Sequence, residues 1–378
     1  MHQSRRHFIQ SVAAAASAAA VRPAEGAGAR QVAPAGAPAA SIDEVFARGV
    51  IVDDLGGFMP DPKLPNNGWD ALAASGLTIC TAGVGSVVPH ESEDSTIAGL
   101  ARVAATVARH GDRMVLVRTF GDIERARKDK RLAVIPNVQN STCIGSEIKN
   151  LDRFYDLGLR QIQLTFNWRN WAGDGCTERT QAGLSYFGVE LVRRMNELGM
   201  IVDVGHTGIQ TTLDAIELSS RPIVFSHTNC KALCDHPRNK TDDQIRALAR
   251  KGGVMGLTCF NWFVSDKPRS TLADLLDHFD HIIKLVGPDH VGIGSDFGIP
   301  GWEGKAPDAE WEEHKRLYSD WEWKLIKGRF PPYIDETNNE KRYWTIAQGL
   351  QKRGHSTAVI EQVLGQNFLR VFKAVLQA

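Results

Sequence analysis

Three short segments place groups able to hold a metal ion or move protons directly after apolar, β-branched runs. They are Asp203-Val204-Gly205-His206, Phe225-Ser226-His227 and Gly294-Ser295-Asp296. Neutral imidazole and carboxylate are nitrogen and oxygen ligands that Zn²⁺ takes, and an ion so held polarises a carbonyl and acidifies water. A single histidine after a strand is most often a satisfied core residue. Two at neighbouring strand ends, with an aspartate at a third, make His206, His227 and Asp296 candidate metal ligands. Asp296 is also the candidate general base or acid. Arg238, eleven residues after His227, carries a planar fork suited to a substrate carboxylate.

These groups need elements that bring them to one place. From Gly49 onward short apolar runs alternate with helical patterns. Strands are predicted at Gly49–Asp54, Leu77–Gly83, Leu132–Val138, Gln161–Thr165, Met200–Val204, Pro222–Ser226, Gly253–Thr258 and His290–Ser295, with a short extra one at Met114–Val117. Ser185–Leu198 reads as a helix with Phe187, Leu191, Met195 and Leu198 on one face, stopped by Gly199. Thr241-Asp242-Asp243-Gln244 is a capping box opening another. The tail 340–378 reads as helical, punctuated by Gly365-Gln366-Asn367. Eight strands alternating with helices predict an α/β fold, a (β/α)₈ TIM barrel, in which residues just past the strands share one mouth. Residues 300–339, rich in Trp, Glu and Lys, read as an inserted loop near that mouth.

Composition narrows the partners. Formal net charge is zero, so nothing predicts a nucleic-acid partner or an anionic membrane surface. Ser4-Arg5-Arg6-His7-Phe8-Ile9 before an Ala-rich run has the form of a twin-arginine export signal. Residues 1–40 are therefore read as signal and flexible linker, 41–378 as one barrel domain, and the destination as the periplasm. No membrane span is expected in the mature chain. The six cysteines show no CxxC pair and read mostly as packing residues, with room for one disulfide in an oxidising compartment.

Longer motifs carry a resemblance. Gly183–Gly208 (GLSYFGVELVRRMNELGMIVDVGHTG), Phe225–Asn229 with Ala232–Asn239, His290–Phe297 (HVGIGSDF) and Leu364–Phe372 (LGQNFLRVF) resemble, in order, the membrane (renal) dipeptidase family. The resemblance implies a barrel of the metallo-dependent hydrolase type and hydrolysis of dipeptides and related amides by two zinc ions. It implies that His206 and His227 hold the second zinc, that Asp296 touches the first metal and handles the proton of the attacking water, and that Arg238 binds the substrate carboxylate. It also implies a homodimer, the state relatives often adopt.

The mouth departs from that pattern. The family's first strand ends in a His-x-Asp pair, where this chain has Leu55 and Gly57; Gln139 stands for the metal-bridging glutamate, and Phe166 for a histidine after strand four. A dinuclear site is thus not expected. One zinc ion, or none, is expected at His206 and His227 with Asp296, and Gln139, Asp53 and Asp54 are candidate compensating ligands, with His90 a further recruit. Phe166 and Asn167 are candidate substrate contacts, and Phe166, Trp168 and Trp171 suit a flat or apolar ligand. The expected activity is metal-dependent hydrolysis of a dipeptide or small amide. The competing readings are metal-free acid–base chemistry on a secreted metabolite by His206, His227 and Asp296, and a binding homologue without catalysis.

Overall fold

The computed structural model describes residues 41–57, 66–85, 92–301 and 332–377. The expected export signal and linker, His90 and most of the expected insertion therefore lie outside the described residues. Strands β1 (Val52–Asp53), β2 (Ile79–Gly83), β4 (Leu132–Val138), β5 (Gln161–Gln163), β6 (Ile201–Asp203), β7 (Val224–Thr228), β8 (Val254–Leu257) and β9 (Val291–Ile293) pair in parallel in that order. Strand β3 (Met114–Leu116) lies off this path against the start of β4. The ring is drawn together between β9 and β1 by Asp54 N donating to Ile293 O (3.0 Å) and Asp296 N donating to Leu55 O (2.7 Å). The chain folds as a (β/α)₈ barrel.

The predicted strands are all present, most of them shorter than the apolar runs that announced them. A run stays apolar beyond its last ladder bond because the flanking residues are still buried under helices. The helix Tyr186–Leu198 starts with Ser185 as its cap and ends at Gly199 in the left-handed conformation. The Thr241 capping box opens the helix Asp242–Arg250. In the tail, the chain passes through one π-helical turn at Gln362–Gln366, where the Gly365-Gln366-Asn367 punctuation falls. All six cysteines are buried and none forms a disulfide, so the room left for one is not used. No helix among the described residues is long and apolar enough to cross a membrane.

Alternation along the strands sorts their side chains into two sets. Val52, Ile79, Ala133, Ile135, Ile201, Val224 and Val254 form the lower storey of the barrel interior, sealed from below by Phe368 and Phe372 of the C-terminal helix Asn367–Val375. Asp53 falls on the opposite side of β1 from Val52. There its carboxylate accepts from Ser295 N (2.8 Å), the Ser295 hydroxyl and the Tyr343 hydroxyl (2.7 Å). Arg342 joins this outer clamp, lying 3.6 Å over the Phe297 ring and donating to Phe297 O (2.8 Å) and Gly298 O (2.6 Å). Asp53 is thus not a compensating metal ligand; the clamp holds Ser295 and Phe297, the neighbours of Asp296, from outside the barrel.

Just past β9 the backbone comes so close to Ser226 of β7 that only glycine fits there. A Cβ on Gly294 would sit 1.8 Å from Ser226 O. Gly294→Ala should therefore destabilise the fold by about 3 kcal/mol or more, the upper end of what overpacking costs, as read from the urea midpoint at unchanged slope.

Candidate functional site

His206 lies just past β6, His227 within β7 and Asp296 just past β9, so the barrel brings all three to one mouth. Both histidines are fully enclosed. Their Nε2 atoms face each other at 2.8 Å. Behind them, His206 Nδ1 meets Asn167 Oδ1 at 2.7 Å, and His227 Nδ1 meets Ser226 Oγ at 2.6 Å. Ser226 in turn donates to Asp203 Oδ2 at 2.5 Å, and Asp203 also accepts from Gly205 N and Ser226 N. Asp296 Oδ1 stands 3.9 Å from His227 Nε2. Phe166 stacks on the His206 ring, centroids 4.3 Å apart.

A proton count over this chain decides what the site can hold. Asn167, His206, His227, Ser226 and Asp203 leave four gaps between successive polar atoms, and each gap needs one hydrogen. Two neutral imidazoles and one hydroxyl supply three, since the Asn167 oxygen and an ionised Asp203 are acceptors only. The missing positive charge is met by a proton on Asp203 or by a cation that both Nε2 atoms would hold. If such a cation were bound, each imidazole would keep its hydrogen on Nδ1, facing the acceptor that orients it, and offer the Nε2 lone pair as a ligand. That is the arrangement metal-binding histidines adopt.

Electrostatics keep those lone pairs open. Burial, then the Arg238 charge, hold both histidines well below the usual imidazole range, so the pair is neutral at ordinary pH. Burial pushes the Asp296 carboxyl up to about 7, Arg238 drawing it down and Asp53 adding to the rise. Asp296 adopts φ +68°, a left-handed backbone unusual outside glycine, and its flanks are held by the Asp53–Arg342 clamp. Among the described residues no three His, Cys, Asp or Glu side chains form a ready-made cluster for a metal. Two imidazole nitrogens converge, and Asp296 is the carboxylate beside them.

Some expected roles shift. Asn167 is buried and orients His206 through its Oδ1. Arg238 is buried, donating to Gly205 O (2.8 Å) and His227 O (3.0 Å) with its guanidinium 5.2 Å from the Phe263 ring centroid, so it also braces the segments that carry both histidines. Gln139 is half-buried, and its backbone oxygen accepts from Gln163 Nε2 (2.6 Å). Asp54 is fully buried, within reach of the Asp203 charge and the Gln161 amide. Phe166, Trp168 and Trp171 do share a cleft of about 260 Å³ with Asn140, Thr142, Arg169 and Asn170. The returning end of the insertion reaches the mouth, where Tyr333 stacks on Phe297 at 4.0 Å.

Three participants escaped the reading of the sequence: Asp203, Ser226 and Lys240. Period-two alternation puts Ser226 on the opposite face of β7 from His227, which hides their hydrogen bond. Lys240 is fully buried, donating to Thr207 O at 2.9 Å and Thr212 Oγ1 at 3.2 Å.

Comparison with known proteins agrees with this architecture. The family model described as membrane dipeptidase (peptidase family M19) matches residues 62–315. An uncharacterised protein of Klebsiella pneumoniae is 30% identical over 77% of this chain and 99% of its own length. The dipeptidase verJ of Clonostachys rogersoniana is 30% identical over 76% of this chain and 66% of its own. The crystal structure of an amidohydrolase from Pseudomonas aeruginosa superposes with a TM-score of 0.78 at 28% identity, over 89% of this chain and 99% of that one.

Lys240 gives the site a testable pH signature. Burial lowers its ammonium from 10.5 to about 7. Below pH 7 folded and unfolded chains both carry the charge, and its burial penalty is in full force. From about 7 to about 10 the folded chain sheds the proton first, so this residue's contribution to stability rises with pH. Lys240→Met should stabilise most at acid pH and least at alkaline pH, as measured by urea unfolding across that window.

Proposed function

The chain belongs to the membrane dipeptidase family, and from that premise we propose that it hydrolyses dipeptides or small amides with a single metal ion held by His206 and His227. Its standing as a hydrolase follows from the family; the metal count and the assignment of roles are this reading's own. The carrying observation is the pair of Nε2 atoms 2.8 Å apart, each imidazole backed by an acceptor on its other nitrogen. Two imidazoles and a carboxylate are a donor set that suits zinc, which when bound would lower the pKa of water and polarise the scissile carbonyl.

The protein's own groups then divide the work. Asn167 and Ser226 fix the tautomers and ring planes of the two histidines. Asp296, with its carboxyl raised to about 7, accepts the proton of the attacking water and returns it to the leaving amine. Arg238 supplies the positive charge behind the pocket that favours a substrate carboxylate. Phe166, Trp168 and Trp171 wall the cleft that takes an apolar side chain. The absence of the first metal's ligands (Leu55, Gly57 and Gln139 in their places) restricts the site to one ion. The twin-arginine leader supports export of the folded chain to the periplasm, which makes cell-wall and nutrient peptides the nearest dipeptides.

A second reading is favoured by the relay from Asp203 through Ser226 to both histidines, which is complete without metal when Asp203 is protonated. Acid–base chemistry on a small metabolite would use that relay. Burial does raise the Asp203 carboxyl.

Turnover of a panel of L,L- and L,D-dipeptides and acyl-amides, with zinc supplied and with chelator, separates the two. Hydrolysis should appear only with zinc and fall by about 10²-fold or more in His227→Ala and Asp296→Asn. Hydrolysis undiminished by chelator or by either substitution would overturn the proposal.

A further inference from the structure

The barrel interior between the apolar lower storey and the histidines is polar. Asn137 and Gln161 are register partners on β4 and β5, and Gln161 pairs with Ile201, a member of the lower interior storey. They therefore point inward, as does Asp54, which follows Val52 by two. Asp54, Asn137, Gln161 and Gln163 are all buried to within 1% of full enclosure. Among the described residues, neither Asp54 oxygen, neither polar atom of Asn137 or of Gln161, nor Gln163 Oε1 makes a well-formed hydrogen bond, although the Gln161 amide lies near Asp54. Barrel interiors of this class are normally filled by bulky aliphatic side chains.

The oxygens are oriented, not merely present. Gln163 Nε2 donates to Gln139 O (2.6 Å) and Thr165 O (3.1 Å), which leaves Oε1 as the end turned inward. A Cβ on Gly205 would lie 2.9 Å from Gln163 Oε1 and 3.3 Å from Asp203 Oδ1, so both oxygens lie beside the Gly205 backbone. Asp54 is close enough to feel the Asp203 charge and the Gln161 amide, although burial dominates and pushes its carboxyl well up. A proton on Asp54 would satisfy one oxygen and leave the others bare, at about 1–3 kcal/mol each.

We propose that Asp54, with the side-chain oxygens of Asn137, Gln161 and Gln163, binds an alkali cation, sodium or potassium, inside the barrel. The donors are all hard oxygens, without imidazole or thiolate, which disfavours transition metals. One carboxylate among neutral amides balances one positive charge. Asp203 is already met by Ser226 and two backbone N–H groups and by the nearby Lys240 charge. A divalent ion would leave net charge in a low-dielectric interior. The cation would tie β1 to β4 and β5 directly beneath the histidines. The site is independent of the hydrolytic reading.

The test is thermal unfolding of the whole chain in sodium, potassium and choline chloride at one ionic strength, with EDTA present to strip divalent ions from the mouth. The midpoint should be higher by about 3 °C or more in sodium or potassium than in choline, and should rise with the logarithm of ion concentration. The isosteric Asp54→Asn should abolish that difference. Gln161→Leu, a second variant should Asp54→Asn fail to fold, should weaken the response at least several-fold. Equal midpoints in the three salts, or an undiminished ion response in either variant, would overturn the site.

Discussion

Two imidazole nitrogens 2.8 Å apart, each with an acceptor behind its ring, form the contact on which the mouth depends. Neutral histidines cannot satisfy that contact, both outer acceptors and an ionised Asp203 together. A cation held by both Nε2 atoms would, and so would a proton parked on Asp203. The surrounding charges bear on the choice: Arg238 and Lys240 oppose protonation of either ring, which leaves lone pairs where a metal ion would need them. Burial makes this bias strong, because charge in a low-dielectric site is felt at full strength.

The rest of the barrel serves this constraint from two sides. Outside the strands, Asp53, Arg342 and Tyr343 grip the residues flanking Asp296 and keep that carboxylate in a left-handed conformation it would not adopt unaided. Inside, Asp203 anchors Ser226, which anchors His227. Two aspartates at equivalent strand positions, Asp53 and Asp203, thus end on opposite faces of the wall with related tasks. Glycines at β8 and β9 allow the strands to close tightly enough for the three groups to meet.

Much of this was legible in the residues. The eight strands, the crossover helices, Ser185 as cap and Gly199 as stop follow from periodicity and cap chemistry, which are local. His206, His227 and Asp296 were recoverable because a barrel converts "just past a strand" into "at the mouth". The failures have a common cause. Asp53 and Asp54 are adjacent carboxylates at a strand end, and only the pleat decides that one joins an outer clamp and the other the interior. Asn167 looked like a substrate contact because nothing in the chain says that it meets His206 across thirty-nine residues. Lys240 drew no attention in the sequence, since its ammonium finds Thr207 O only once the strands are assembled.

The claim that His206 and His227 would hold one ion is tested most directly by zinc content. The protein, loaded with zinc and freed of excess by gel filtration, should carry about one ion per chain by elemental analysis, and His206→Ala should carry none. Two ions per chain would mean that other residues restore a dinuclear site. None in the unaltered protein would mean that the proton on Asp203, and not a metal, completes the histidine pair.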